Sequence, residues 1–187
     1  MPIPRLRIED TALLVIDVQE KLIKAVAESE RLVQNCVVML EMASELGIPH
    51  LVTEHYPTGL GRTVEAISGA MVDRAARVEK TRFSALVNVV DEHLQAWQRT
   101  RVLVCGIEAH VCVLQTVLDL QASGRQCFVV SDAIAAMQPD QVDHAIRRME
   151  AAGAVTTGVM SAMYELLGDA KHRSRRACIE LAKRIRF

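Results

Sequence analysis

Aromatic residues are scarce in this chain of 187 residues: one Trp, two Tyr and three Phe, 3% in all. Single-stranded nucleic acid is gripped by several stacking rings, and the basic end of the chain has Phe187 alone nearby, which argues against a nucleic-acid arm there. A net charge of -1 gives no overall pull on a polyanion either. No stretch approaches the roughly 18 uninterrupted apolar residues of a membrane span, and the start, Met1-Pro2-Ile3-Pro4-Arg5, lacks a basic segment followed by an apolar one. No CxxC pair occurs. The five cysteines (Cys36, Cys105, Cys112, Cys127, Cys178) are odd in number, widely spaced and mostly set in apolar runs, the habit of reduced thiols rather than of a disulfide framework. A soluble, cytoplasmic protein without membrane or nucleic-acid partner is expected. Lysine is the other shortage, five against 17 arginines.

Half the residues are hydrophobic and 24% are charged, the balance of a compact globular protein. The length suits one domain and is enough to bury a core without staples. With no linker, repeat or low-complexity stretch, a single domain over 1–187 with a helical extension over about 169–187 is expected. Charge is uneven. Residues 171–187 hold seven basic side chains against Glu180 alone, so they carry +6 and the rest of the chain -7. Such a segment is a solvated face, or one that docks on an acidic partner subunit.

Apolar runs bounded by turn residues recur at Ala12 to Ile16, Val102 to Cys105 and Cys127 to Val130. Unbroken runs mark strands buried on both faces, as in parallel sheets. Between them lie helical spacings: Leu32, Cys36, Val37, Leu40, Ala43 and Leu46 share one face, as do Val113, Val117, Leu118 and Ala122. Three helices end in glycine followed at once by a strand, at Gly47, Gly124 and Gly153, where a left-handed cap turns the chain back. A weaker strand over Ala75 to Glu79 brings the count to about six. Alternating strand and helix means an α/β fold with right-handed crossovers.

Parallel strands open at their carboxyl ends onto the crevice where ligands bind. Three residues stand there. Asp17 directly follows the first apolar run, as a functional acid or a helix N-cap. Lys80, in Arg77-Val-Glu-Lys-Thr-Arg-Phe-Ser-Ala, is the one lysine at a strand end; a solvated side chain is the alternative. Cys112 follows the fourth strand in Gly106-Ile-Glu-Ala-His-Val-Cys, where the first turn of a helix favours thiolate; a small core residue is the alternative. Together they supply a thiol hydrolase: an acid to take the thiol proton, an ammonium to hold negative charge, and a sulfur to attack a carbonyl.

Asp17-Val-Gln19, Lys80-Thr-Arg-Phe83-Ser-Ala and Gly106-Ile-Glu-Ala-His-Val-Cys112-Val together resemble the three motifs of the isochorismatase-like cysteine hydrolases. Thr53-Glu-His-Tyr-Pro-Thr-Gly-Leu-Gly and Leu167-Gly-Asp-Ala-Lys-His are similar to its isochorismatase domain-containing branch of unassigned hydrolases. The resemblance runs from about residue 10 to 172. It implies a three-layer Rossmann-like fold with strand order 3-2-1-4-5-6, a catalytic triad of Asp17, Lys80 and Cys112, a cis peptide between Ile107 and Glu108, and an oxyanion hole from the N–H groups of Glu108 and Cys112. Related nicotinamidases carry an Asp-x-His pair for a metal where this chain has Thr53-Glu54-His55-Tyr56; the second histidine is missing, so His55 reads as a pocket wall or polar contact, and no metal or other cofactor is expected. Isochorismatases proper lack the cysteine and cleave a vinyl ether, so Cys112 turns the reading toward an amide.

The expected activity is hydrolysis of a small carboxamide or related C–N bond through a thioester. Lys80 would depress the pKa values of the carboxylate and the thiol, and Gln19, His55, Tyr56, Phe83, Glu108 and His110 would line the pocket, Phe83 being alternatively a core aromatic. A small-molecule substrate and a homo-oligomer are the expected partners. The alternatives are an inactive oligomeric scaffold or a vinyl ether hydrolase. A nucleotide-binding Rossmann protein is opposed by the first βα turn, Asp17-Val-Gln-Glu, which has no glycine-rich loop. A phosphotransferase with Asp17 as nucleophile is opposed by the lack of a second acid two residues later.

Overall fold

Unbroken apolar runs become strands shielded on both faces. In the computed structural model, which describes residues 3–71 and 77–186, every residue of β1 (Thr11–Ile16) is buried. Its side chains alternate: Leu13 and Val15 point into one apolar cluster, Ala12, Leu14 and Ile16 into the other. β2 (His50–His55), β3 (Arg77–Lys80), β4 (Arg101–Gly106), β5 (Gln126–Ile134) and β6 (Val155–Thr157) complete a six-stranded sheet in which all neighbours are parallel, in the order 3-2-1-4-5-6. The weak third strand starts at Arg77; Ala75 and Ala76 of the expected span lie outside the described residues.

Helices cover both faces. α1 (Ser29–Leu46), α3 (Glu65–Ala70), α7 (Val159–Leu167) and α8 (Arg175–Ala182) pack on one side, and α4 (Asn88–Ala96), α5 (Leu114–Ala122) and α6 (Asp140–Ala151) on the other, while α2 (Pro57–Leu60) is a single turn. The expected face of α1 is wholly buried. On α5 the reading was off by part of a turn: Val113 and Val117 are buried, but the stripe continues through Leu120, and Ala122 is exposed. Gly47 caps α1 with φ of 68°, whereas Gly124 and Gly153, also at positive φ, sit one residue beyond the caps of α5 and α6.

The basic C-terminal segment folds back on its own chain. Fully buried Asn35 donates to the carbonyls of Asp132 (2.7 Å) and Arg186 (3.0 Å) and accepts from the Arg186 N–H (2.9 Å). Arg184 pairs with Glu41 of α1. No helix among the described residues is long and apolar enough to cross a membrane.

β1 and β4 are adjacent, yet the chain leaves β1 toward α1 on one face and β4 toward α5 on the other. A crevice opens where they part. The two strands touch closely at Gly106, whose φ is 118°: a Cβ there would stand 2.1 Å from the Ile16 carbonyl oxygen.

Candidate active site

Asp17 is the first residue past β1 and takes a left-handed φ of 53°, a conformation that Asp tolerates better than most residues. Its N–H still donates to the Thr53 carbonyl (3.1 Å), so the carboxylate is aimed by an extension of the β1–β2 ladder. Both oxygens are engaged: Thr53 Oγ1 donates to Oδ1 (2.7 Å) and Lys80 Nζ to Oδ2 (2.5 Å). It caps no helix, which disposes of the capping alternative.

Lys80 ends β3, in register with His55, and its side chain is fully buried rather than solvated. The ammonium has three donors, and all are used, on Asp17 Oδ2 and on the carbonyls of Arg82 (3.1 Å) and Phe83 (2.9 Å). The loop after β3 thus cradles a charge that would otherwise be costly to bury.

Cys112 lies in a π-helical turn, Ala109–Val113, which the Val113 N–H closes on the Glu108 carbonyl (3.1 Å) before α5 begins. Such turns often present functional side chains. The peptide before it, Ile107–Glu108, is cis. The thiol is buried, and burial pushes its pKa up to about 12; the Asp17 carboxylate adds to the rise, while Lys80 and the N–H of Glu108 oppose it. The expectation that Lys80 and the helix start would depress the thiol is therefore corrected: dehydration and the neighbouring carboxylate outweigh them. The resting sulfur is protonated, with a carboxylate at hand.

The surrounding candidates divide. Gln19 is fully buried and its amide is spent on backbone, donating to the carbonyls of His55 (3.1 Å) and Gly61 (2.6 Å) and accepting from the His55 N–H (2.7 Å). These bonds tie the end of β2 to the Gly61 turn. His55 leans on the ring of Phe83, centroids 5.3 Å apart. Burial and the charge of Lys80 lower its pKa, against Asp17 and the Arg82 carbonyl, so it is neutral at neutral pH. Tyr56 and Phe83 are half exposed, so Phe83 is a rim residue and not a core aromatic. His110 Nδ1 lies 3.8 Å from a Glu108 carboxylate oxygen that also accepts the Met137 N–H (2.9 Å). A cavity of about 450 Å³ opens beside the end of β3, lined by Tyr56, Thr58, Lys80, Thr81, Arg82 and Val87 among others. Of Asp17, Lys80 and Cys112, Lys80 is among its lining.

Three buried polar atoms near the trio have no protein partner among the described residues: His55 Nδ1, Glu108 Oε1 and His110 Nδ1. A small polar ligand could satisfy them. Two residues to which the sequence reading assigned no site role also belong here. Thr53 fixes the Asp17 carboxylate, and its signal was a hydroxyl near the end of an apolar strand. Fully buried Thr116 donates to the Cys112 carbonyl (2.6 Å) and accepts from the Ala85 N–H (2.7 Å); its signal was a threonine four residues after the cysteine, placed to bond one turn back.

A model of the isochorismatase domain matches residues 11–161. Isochorismatase domain-containing protein 2 of Xenopus laevis is 37% identical over 165 residues, which cover 87% of this chain and 78% of that protein. Among solved structures, the MAR1 ribonuclease of Caenorhabditis elegans superposes with a TM-score of 0.92 at 32% identity, over 95% of this chain and 92% of that one. The Escherichia coli YcaC gene product, described as an octameric hydrolase of unknown specificity, superposes at 0.89 with 25% identity over 98% and 92%.

Proposed function

The chain belongs to the isochorismatase family, and from that premise we propose that it is a cysteine-dependent hydrolase of a small carboxamide or related C–N bond. The observation that carries this reading is a protonated, buried thiol beside a carboxylate that is itself paired, at 2.5 Å, with a buried ammonium.

The steps follow from those groups. Asp17 takes the proton from Cys112 as the sulfur bonds to the carbonyl carbon, and the N–H groups of Glu108 and Cys112 receive the developing oxyanion. The intermediate collapses with cleavage of the C–N bond, and the amine or ammonia departs with the proton from Asp17. A thioester remains. Water attacks it, giving a proton to Asp17; the C–S bond breaks, the acid is released, and the thiolate regains the proton. Lys80 holds the carboxylate in place, and its positive charge accompanies whichever of Asp17 and Cys112 is ionised.

Burial of all three groups suits a small molecule, not a nucleic acid, as the substrate. The free, buried thiols suit a reducing, cytoplasmic setting. The octameric relative favours a homo-oligomer.

The test is a panel of carboxamides, carbamoyl compounds and isochorismate, followed for ammonia or pyruvate, with Cys112→Ala alongside. Ammonia release that vanishes in the variant supports the reading. Pyruvate release that persists in it favours vinyl ether cleavage. With no turnover anywhere and equal iodoacetamide labelling of all five thiols by mass spectrometry, the scaffold alternative stands instead.

A further inference from the structure

Asp17, Lys80 and Cys112 reach the crevice from three different strands, so something must hold the nucleophile's turn in place against the loop that cradles the lysine. The ladder aligns Asp17 with β2 and Lys80 with β2, but Cys112 sits past the end of β4, beyond any strand pairing. Besides the exposed Arg82–Asp119 pair (3.7 Å), a buried side chain bridges this gap. The Thr116 hydroxyl donates to the Cys112 carbonyl at 2.6 Å and accepts the Ala85 N–H at 2.7 Å. Ala85 belongs to the segment whose Arg82 and Phe83 carbonyls hold Lys80 Nζ. Thr116 and Ala85 are both completely buried, so no solvent competes for either bond.

We propose that Thr116 is a positioning residue that ties the turn bearing the Cys112 thiol to the loop that fixes the Lys80–Asp17 pair, setting the distance over which the thiol proton moves. The proposal rests on the thiol-hydrolase reading above. A single hydroxyl serves as donor to one catalytic element and acceptor from the other, so its removal frees both ends at once. Serine can reproduce both bonds. Valine, of the same shape, can make neither.

The experiment measures the second-order rate of Cys112 alkylation by iodoacetamide from pH 6 to 9, read by mass spectrometry, in the wild type, Thr116→Val and Thr116→Ser, with melting curves for each. Thr116→Val is expected to alkylate Cys112 at least tenfold more slowly at pH 7 and with a steeper pH dependence, and Thr116→Ser to return within about threefold of the wild type. A purely structural threonine would lower the melting temperature and expose the other four thiols without altering the Cys112 pH profile, and that result overturns the proposal. Should Thr116→Val fail to fold, Thr116→Ala, which likewise removes the hydroxyl, takes its place with the same criteria. A wild type whose Cys112 reacts no faster than the other thiols defeats the hydrolase reading itself. A fast wild type with an unchanged valine variant defeats the Thr116 proposal alone.

Discussion

Replacing Asp17 by Asn removes the base together with the negative charge that faces Lys80, and keeps the size and backbone of the side chain. Asn has the same size, tolerates the left-handed backbone, and can still accept the Thr53 hydroxyl, but it cannot take a proton. With the thiol raised to about 12, mainly by burial, almost none of it is ionised at pH 7, so attack calls for a base beside it. A positioned carboxylate that accepts the proton during attack is such a base, and such bases are worth about 10²–10⁴ in rate. Asp17→Asn should therefore lower kcat/KM on an accepted carboxamide by roughly 10²–10⁴. Lys80 keeps the Arg82 and Phe83 carbonyls but loses its counter-charge, so a stability loss of about 3–5 kcal/mol is expected as well and kcat/KM is taken on the folded fraction. Alkylation gives the second readout. Wild-type Cys112 should label at a rate nearly flat around neutrality, because the carboxylate takes the proton. In Asp17→Asn the thiol pKa falls, since the carboxylate that raised it is gone and Lys80 still lowers it, and labelling should climb steeply with pH as free thiolate forms. A variant that keeps turnover within about threefold, or loses it only in step with its unfolded fraction, refutes the assignment of Asp17 as base.

Two further outcomes test the fold beneath the site. Cys127 is held up to about 12 by burial; its folded pKa is raised, so its contribution to stability is intact below the unfolded thiol value and is lost as pH climbs from about 9 toward 12. Denaturant titrations should show Cys127→Ala losing stability less steeply over that range, by up to about 1.4 kcal/mol per pH unit, and parallel slopes would contradict the burial. Gly106→Ala should be among the most damaging single changes, since the added carbon meets the Ile16 carbonyl oxygen at 2.1 Å and its amide nitrogen at 2.6 Å, both backbone atoms, at a φ that side chains avoid. A loss above about 4 kcal/mol, or a melting temperature lower by about 10 °C or more, is expected; a drop under about 2 °C would contradict the close approach of β1 and β4.

The strands could be read because a doubly covered sheet demands continuous apolar runs, and β1 and β4 provide them. Their spatial order followed from the resemblance carried by Asp17, Lys80 and Cys112, not from periodicity. β3 was only partly legible, since four residues with charges at Arg77, Glu79 and Lys80 carry little apolar signal. The π-helical turn was read as the start of an ordinary helix: five residues are too few for their spacing to differ from 3.6. The thiol's pKa was misjudged in sign because a sequence displays neighbouring charges but not dehydration. That Gln19 spends both amide donors and one acceptor site on the backbone of His55 and Gly61 was not legible, because the loop that brings these groups together is 36 to 42 residues away in sequence.

The registers that align Ile16 with Thr53, Ile16 with Gly106 and His55 with Lys80 also govern when chemistry can begin. On the ribosome Asp17 emerges long before Cys112, and neither can act until β2, β3 and β4 have threaded into one sheet. A half-made or slipped chain therefore keeps the carboxylate, the ammonium and the thiol apart. For anyone handling the protein, the proposed turnover doubles as a gauge of correct assembly: molecules that show it have β1, β2, β3 and β4 in place.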